Sequence, residues 1–228
     1  MSFSHTIENR IDESRRGVAY RNYLEVRNAV FAMLNADEAA ASAPSRYWKE
    51  ELRGMEYLFD ASPLIVETLR HHCYHLTGQR EFDYRRHHAF KAGPLERRLE
   101  ILKSQDRRGL FIPESSALGG FGFEIDGALV NSDTLKFYEG LIAMEDGGIL
   151  ENFKNGGEGK TVLEIGGGWG GFAYQFKKIF PNAHYVIVDF PAALLFSGTY
   201  LKTVFDDAKI FLSGGGFSFA EKIDPRQY

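Results

Sequence analysis

The sequence predicts an α/β protein: a helical N-terminal segment followed by the first half, βαβαβ, of a doubly wound parallel sheet. Three observations carry this prediction. Through about residue 105, apolar residues recur at three- and four-residue steps, the period of amphipathic helices. After residue 158, short apolar runs alternate with helical patterns, as in a parallel sheet with crossover helices. Between the first such run and the first such helix stands Gly166-Gly167-Gly168-Trp169-Gly170-Gly171. A turn of this kind lets backbone approach a ligand, because glycine has no Cβ and tolerates positive φ. The implied units are a helical domain over 1–108, a connecting hairpin and helix over 109–157, and an incomplete sheet domain over 158–228.

In chain order, Tyr20, Tyr23, Leu24, Val30, Phe31 and Leu34 mark one apolar face of a helix over residues 6–35. Its charged first half (Arg10, Asp12, Glu13, Arg15, Arg16) reads as a solvated face. Residues 36–44 form a small-residue linker ending at Pro44, where a helix cannot continue. Trp48, Leu52, Met55 and Leu58 suggest a second, shorter helix. Ser62-Pro63 is a helix start, with Ser62 as N-cap and Pro63 at the first helical position. Ile65, Leu69, His72 and Leu76 follow on one face, and Gly78 is the expected stop. His71 and His75 share the four-residue spacing of paired metal ligands, but no third ligand accompanies them, so no metal is assigned. A further helix follows Gly93-Pro94, with Leu95, Leu99 and Leu102 inward.

Leu118-Gly119-Gly120-Phe121-Gly122-Phe123 is either a connector, the reading favoured here, or a substrate-side loop. Asp126-Gly127 between apolar runs signals a tight hairpin. Asn131-Ser132-Asp133 offers caps for a helix carrying Leu135, Phe137, Tyr138, Leu141, Ile142 and Met144. Thr161 to Ile165 then reads as a buried strand, and Phe172, Phe176 and Ile179 as a helix ended by Phe180-Pro181-Asn182. Tyr185 to Val188 is a second strand ending at Asp189. A helix from Pro191 to about Phe205 and a candidate third strand, Lys209 to Leu212, complete the pattern.

Composition narrows the function. A net charge of −4 over 228 residues argues against a nucleic-acid binder held by phosphate contacts. Cys73 is the single cysteine, which excludes an intrachain disulfide and suits a reducing compartment. The polar N-terminus lacks the apolar run of a signal peptide, and no apolar stretch approaches the ~20 residues of a membrane-spanning helix. A soluble, cytoplasmic protein without a membrane partner is expected.

Gly166, Gly168 and Gly171 satisfy G-x-G-x-x-G, and Asp189 stands at the end of the next strand, where a carboxylate accepts hydrogen bonds from ribose hydroxyls. An adenosine-containing cofactor follows. In an extended strand, Glu164 and Gly166 project to the same face, so a carboxylate stands near the ligand. It would repel the pyrophosphate of a dinucleotide but favour the ammonium and sulfonium of S-adenosylmethionine. Trp169 also adds bulk where a phosphate would want bare backbone. The alternative roles are structural: Glu164 capping exposed amides of the turn, Asp189 capping the next helix, and Phe190 in ordinary core packing.

The run Glu164-Ile165-Gly166-Gly167-Gly168-Trp169-Gly170 resembles the E/D-x-G-x-G-x-G motif of class I S-adenosylmethionine-dependent methyltransferases. The longer Val162 to Gly171 run is similar to the sugar O-methyltransferase family. So are Tyr185-Val186-Ile187-Val188-Asp189-Phe190-Pro191, Tyr200-Leu201, Gly119-Gly120-Phe121-Gly122 and Asn131-Ser132-Asp133-Thr134-Leu135. The resemblance spans about residues 110–212. It implies a Rossmann-like domain that binds S-adenosylmethionine through Glu164, Gly166, Gly167, Gly168, Trp169, Gly170, Asp189 and Phe190. Glu164 and the glycines would hold the methionine portion, Asp189 the ribose, and Phe190 the adenine. It further implies attack of a sugar or glycan hydroxyl on the sulfonium methyl, helped by a base or a divalent metal. No catalytic residue is assigned; His87, His88 and Tyr138 are available by chemistry alone.

A complete sheet of this family has seven strands, and 62 residues after Gly166 do not supply them. The expectation is a C-terminally truncated methyltransferase, weakly active or inactive alone, with one uncovered strand edge open to self-association. The competing readings are a nicotinamide-dependent oxidoreductase and a noncatalytic module completed by a partner.

Overall fold

The computed structural model describes residues 3–37, 45–207 and 209–210. It is a mixed helix-and-sheet architecture, 65% helical with small sheets, compatible with the α/β class. The first expected helix is two, α1 (Phe3–Arg16) and α2 (Val18–Asp37). They part at Gly17, whose N–H donates to the Ser14 carbonyl at 3.0 Å in a tightened turn. α3 (Arg46–Arg53) starts at Ser45, whose hydroxyl accepts from the Trp48 N–H. α4 (Pro63–Glu67) starts at Ser62 with Pro63 in its first turn, as the sequence requires. That helix is shorter than expected: it tightens into a 3-10 turn over Leu69–His72, then resumes as α5 (Tyr74–Thr77). Gly78 stops it at φ +69, the left-handed conformation that satisfies a helix end.

α6 (Ala92–Gln105) precedes an antiparallel hairpin, β1 (Phe123–Ile125) and β2 (Ala128–Val130). Asp126 and Gly127 have φ of 51° and 74°, the two successive positive values of a type I′ turn. α7 (Ser132–Asp146) opens on a reciprocal cap: the Thr134 N–H donates to the Asn131 side chain at 2.9 Å, and the Asn131 N–H to the Thr134 hydroxyl at 3.4 Å. Then come β3 (Thr161–Ile165), α8 (Gly171–Ile179), β4 (His184–Val188) and α9 (Pro191–Val204). β3 and β4 pair in parallel, Thr161 opposite His184 through Ile165 opposite Val188, making one βαβ unit followed by a helix. Of the candidate third strand, Lys209 and Ile210 lie in no strand, and Phe211 and Leu212 fall outside the described residues.

Two cores hold these elements. One packs α6, the hairpin, α7 and α8 around Leu99, Val130, Leu135, Leu141 and Phe176. The other joins Tyr23, Val26 and Val30 of α2 to Leu195, Phe196 and Tyr200 of α9, with Met55, Leu58, Leu69 and Trp169 between. Residues from the 1–108 and 158–228 segments thus share a single core. Polar contacts reinforce it: the Asn22 amide donates to the Lys202 carbonyl at 3.1 Å, and Lys202 pairs with Glu25 at 2.9 Å. The Tyr23 hydroxyl donates to the Leu58 carbonyl and accepts from the Ala61 N–H, tying α2 to the following turns.

β3 has β4 on one edge and, among the described residues, no strand on the other. The apolar run is not buried as the sequence suggests. Leu163 and Ile165 are 53% and 80% exposed, because no element of the described chain covers that face.

Candidate functional site

The glycine turn connects the carboxyl end of β3 to α8 and takes its shape from three left-handed glycines, with φ of 77° at Gly166, 57° at Gly168 and 88° at Gly170. A side chain at any of them would be strained. The Gly166 N–H donates to the Val188 carbonyl at 2.8 Å, continuing the β3–β4 ladder into the turn. Asp189 braces it from the other strand. One carboxylate oxygen accepts from the Gly168 N–H and the other from the Phe190 N–H, both at 2.7 Å. The α9 N-cap is Phe190, so Asp189 locks the turn rather than capping the helix. Each of its oxygens keeps a second lone pair for an incoming hydroxyl.

Glu164 is half-buried one strand over, and its carboxylate accepts from the Tyr185 hydroxyl at 3.0 Å. Burial pushes its carboxyl up; the Tyr185 hydrogen bond pulls it back, and the neighbouring Asp189 charge adds to the rise. Asp189 is itself pushed up by burial, against the pull of its two amide donors. Gly167 fits between the strands because a Cβ there would press the Ile187 side chain at 2.7 Å and the Glu164 carboxylate at 3.1 Å. Two carboxylates at the ends of adjacent parallel strands, with exposed Gly166 beside them, make an anionic lip that favours a cation.

The residues named from the sequence do not all gather there. Glu164, Gly166, Gly167, Gly168 and Asp189 form the lip, and Phe190 adjoins it, packed against Trp48 with ring centroids 5.7 Å apart. The Trp169 side chain turns into the core, 3% exposed, against Tyr200 and Phe137. Gly170 is buried against Ser197 and Leu201 of α9, and Gly171 against Trp169 and Phe137, so these two glycines serve close helix packing.

Trp169 leads to a cluster that the sequence did not disclose. The Arg70 guanidinium lies 3.8 Å from the Trp169 ring centre and 4.6 Å from that of Phe121. Its Nε donates to Glu114 and one Nη to Asp133, each at 2.9 Å, with the Arg70 side chain wholly inaccessible. Asn131 donates to the other Glu114 oxygen at 3.0 Å and to the Phe121 carbonyl at 2.7 Å. Burial opposes the arginine charge, but Glu114 and Asp133 overcome it and hold Arg70 protonated. Burial pushes both carboxyls up, against the pull of Arg70. The Leu118 to Phe123 stretch is a packed connector: Leu118 and Phe121 are buried, and Gly119 sits against Thr68 and His71. Val66, Leu69 and Cys73 form a buried i, i+3, i+7 stripe into which Arg70 falls, and a charge in such a stripe was the legible sign.

The histidines disperse. His72 bonds the Tyr57 hydroxyl at 2.6 Å, His75 meets Glu51 at 3.0 Å, and His71 faces Phe121. Among the described residues, no group of three or more His, Cys, Asp or Glu side chains is placed to hold a metal. No helix among them is long and apolar enough to cross a membrane. No family model, curated protein or solved structure matches the chain.

Proposed function

We propose that the chain binds S-adenosylmethionine at the glycine turn and belongs to an O-methyltransferase acting on a sugar hydroxyl. The observation that carries this reading is the pairing of Glu164 and Asp189 at the ends of parallel strands around the left-handed glycines. A sulfonium and an ammonium gain Coulomb energy beside these carboxylates, whereas a pyrophosphate loses it. Glu164 would face the methionine portion and Asp189 the ribose hydroxyls. The sugar acceptor rests on the sequence resemblance alone. In the reaction, the acceptor oxygen would attack the sulfonium methyl in line, the carbon–sulfur bond would break with its electron pair passing to the departing S-adenosylhomocysteine, and the hydroxyl proton would be released to solvent.

Titration calorimetry with S-adenosylmethionine, S-adenosylhomocysteine and NAD tests the reading. Binding of the first two with no response to NAD supports it; preferential NAD binding overturns it in favour of an oxidoreductase. Asp189→Ala is expected to weaken binding about tenfold or more, through lost ribose contacts and a loosened turn. Because burial raises the Glu164 carboxyl, its charge is lost as pH falls through its pKa in the folded protein. Affinity for S-adenosylmethionine should therefore decline on acidification, and Glu164→Gln should flatten that decline.

A noncatalytic interaction module remains the second reading, favoured by the exposed Leu163 and Ile165 on β3.

A further inference from the structure

Glu164 and Asp189 are half-buried at the turn, and neither meets a lysine, arginine or histidine among the described residues. The titratable groups facing Glu164 are Tyr185 on β4 and Asp189 beyond it; α8, packed on Tyr185 through Phe176, contributes none. Among the described residues, the Tyr185 hydroxyl is the one donor that reaches the Glu164 carboxylate, on Oε2 at 3.0 Å. Tyr185 pairs with Val162, two residues before Glu164, so its side chain shares the Glu164 face and reaches it diagonally. Its ring is anchored on the wholly buried Phe176, with centroids 5.6 Å apart. Oε2 is also the atom that a Cβ on Gly167 would press, at 3.1 Å. The phenol thus holds this oxygen against the glycine turn, while no donor of the described chain reaches Oε1.

The donor's chemistry suits a site that must keep its charge. A phenol is neutral, so it fixes the carboxylate without cancelling its charge, as a lysine or arginine in its place would. Burial and then the Glu164 charge push the Tyr185 hydroxyl up, so it stays protonated and donates across the neutral range. We propose that Tyr185 is the positioning residue of the site, turning Glu164 so that Oε1, with its charge uncompensated, receives the cationic group of the ligand. The inference rests on the reading that a cation binds at the turn. It gives the β4 tyrosine a role that packing on Phe176 alone would leave to a phenylalanine.

The test compares wild type, Tyr185→Phe, Glu164→Gln and the double variant of the full chain. Calorimetry with S-adenosylmethionine is run across pH, and carbon NMR follows the glutamate carboxyls of the ligand-free protein. Tyr185→Phe keeps the ring on Phe176 and removes only the donor, so its thermal melting should stay close to wild type. It should weaken binding about fivefold at neutral pH. Because the lost hydrogen bond had pulled the Glu164 carboxyl down, the acid-side loss of affinity should also move to higher pH. The Glu164 carboxyl resonance, identified by its disappearance in Glu164→Gln, should titrate at higher pH in Tyr185→Phe. In the Glu164→Gln background, removing the hydroxyl should change affinity by less than about twofold. Equal weakening in both backgrounds, or an NMR midpoint that does not move, overturns the positioning role and leaves the methyl-donor reading standing. Wild type that fails to bind S-adenosylmethionine overturns that reading, and the ligand role of Tyr185 with it.

Discussion

Arg70 carries a full charge with no exposed side-chain surface, held by two carboxylates and stacked on Trp169. Isolated burial of these ions would be prohibitive, so the cluster persists only as a hydrogen-bonded set. Its members come from the 3-10 turn after α4, the connector, the start of α7 and the glycine turn, which it joins. Arg70→Met should cost about 3–5 kcal/mol in urea unfolding, because Glu114 and Asp133 are left buried without a cation. The sign with pH follows from the direction of the shifts. Without Arg70, both carboxyls titrate higher in the fold than in the unfolded chain, so the deficit grows as pH rises through the carboxylate range and is smallest in acid. Adding Glu114→Gln and Asp133→Asn should recover much of the loss.

At the scale of elements, what was legible in the sequence was local. The Ser62-Pro63 start, the Gly78 stop, the Asp126-Gly127 hairpin and the Asn131 cap each depend on a few neighbouring residues, and each is present. The glycine turn likewise falls between the expected strand and helix. What stayed hidden was long-range. Nothing adjacent to Arg70 announces Glu114 or Asp133, 44 and 63 residues away. The inward turn of the Trp169 side chain is not written beside it, because its partners Phe137 and Tyr200 lie on distant elements. The break at Gly17 leaves no mark in the apolar period, which runs on across it. The packing at the start of α8 is tested at Gly171, where a Cβ would overlap Trp169 and Phe137. Gly171→Ala should destabilise the protein by about 1–3 kcal/mol and shift the emission of Trp169, with the secondary-structure content unchanged.

For the whole molecule, the unbalanced feature is the sheet. β3 offers an unpaired edge among the described residues and an exposed face of Leu163 and Ile165, with Val188 of β4 at 41% exposure beside them. Such a surface associates with whatever completes it. Light scattering of the purified chain should show concentration-dependent association, and Ile165→Lys should reduce it. Because Ile165 is 80% exposed, the same change should alter unfolding free energy by no more than about 0.5 kcal/mol. Loss of stability without loss of association would mean that another face is used.

The marriage of α2 to α9 sets a clock on synthesis. The Asn22 side chain and the Lys202 carbonyl that it grips are 180 residues apart in the chain. At a translation rate of ~5–20 residues per second, α2 waits roughly 10–35 s for its partner to leave the ribosome. Through that interval Tyr23, Val26 and Val30, all wholly buried in the finished protein, have no α9 to cover them. The nascent chain therefore carries this apolar stripe uncovered until α9 arrives. Production should improve with slower, cooler expression or abundant chaperone, which shelter the stripe during the wait.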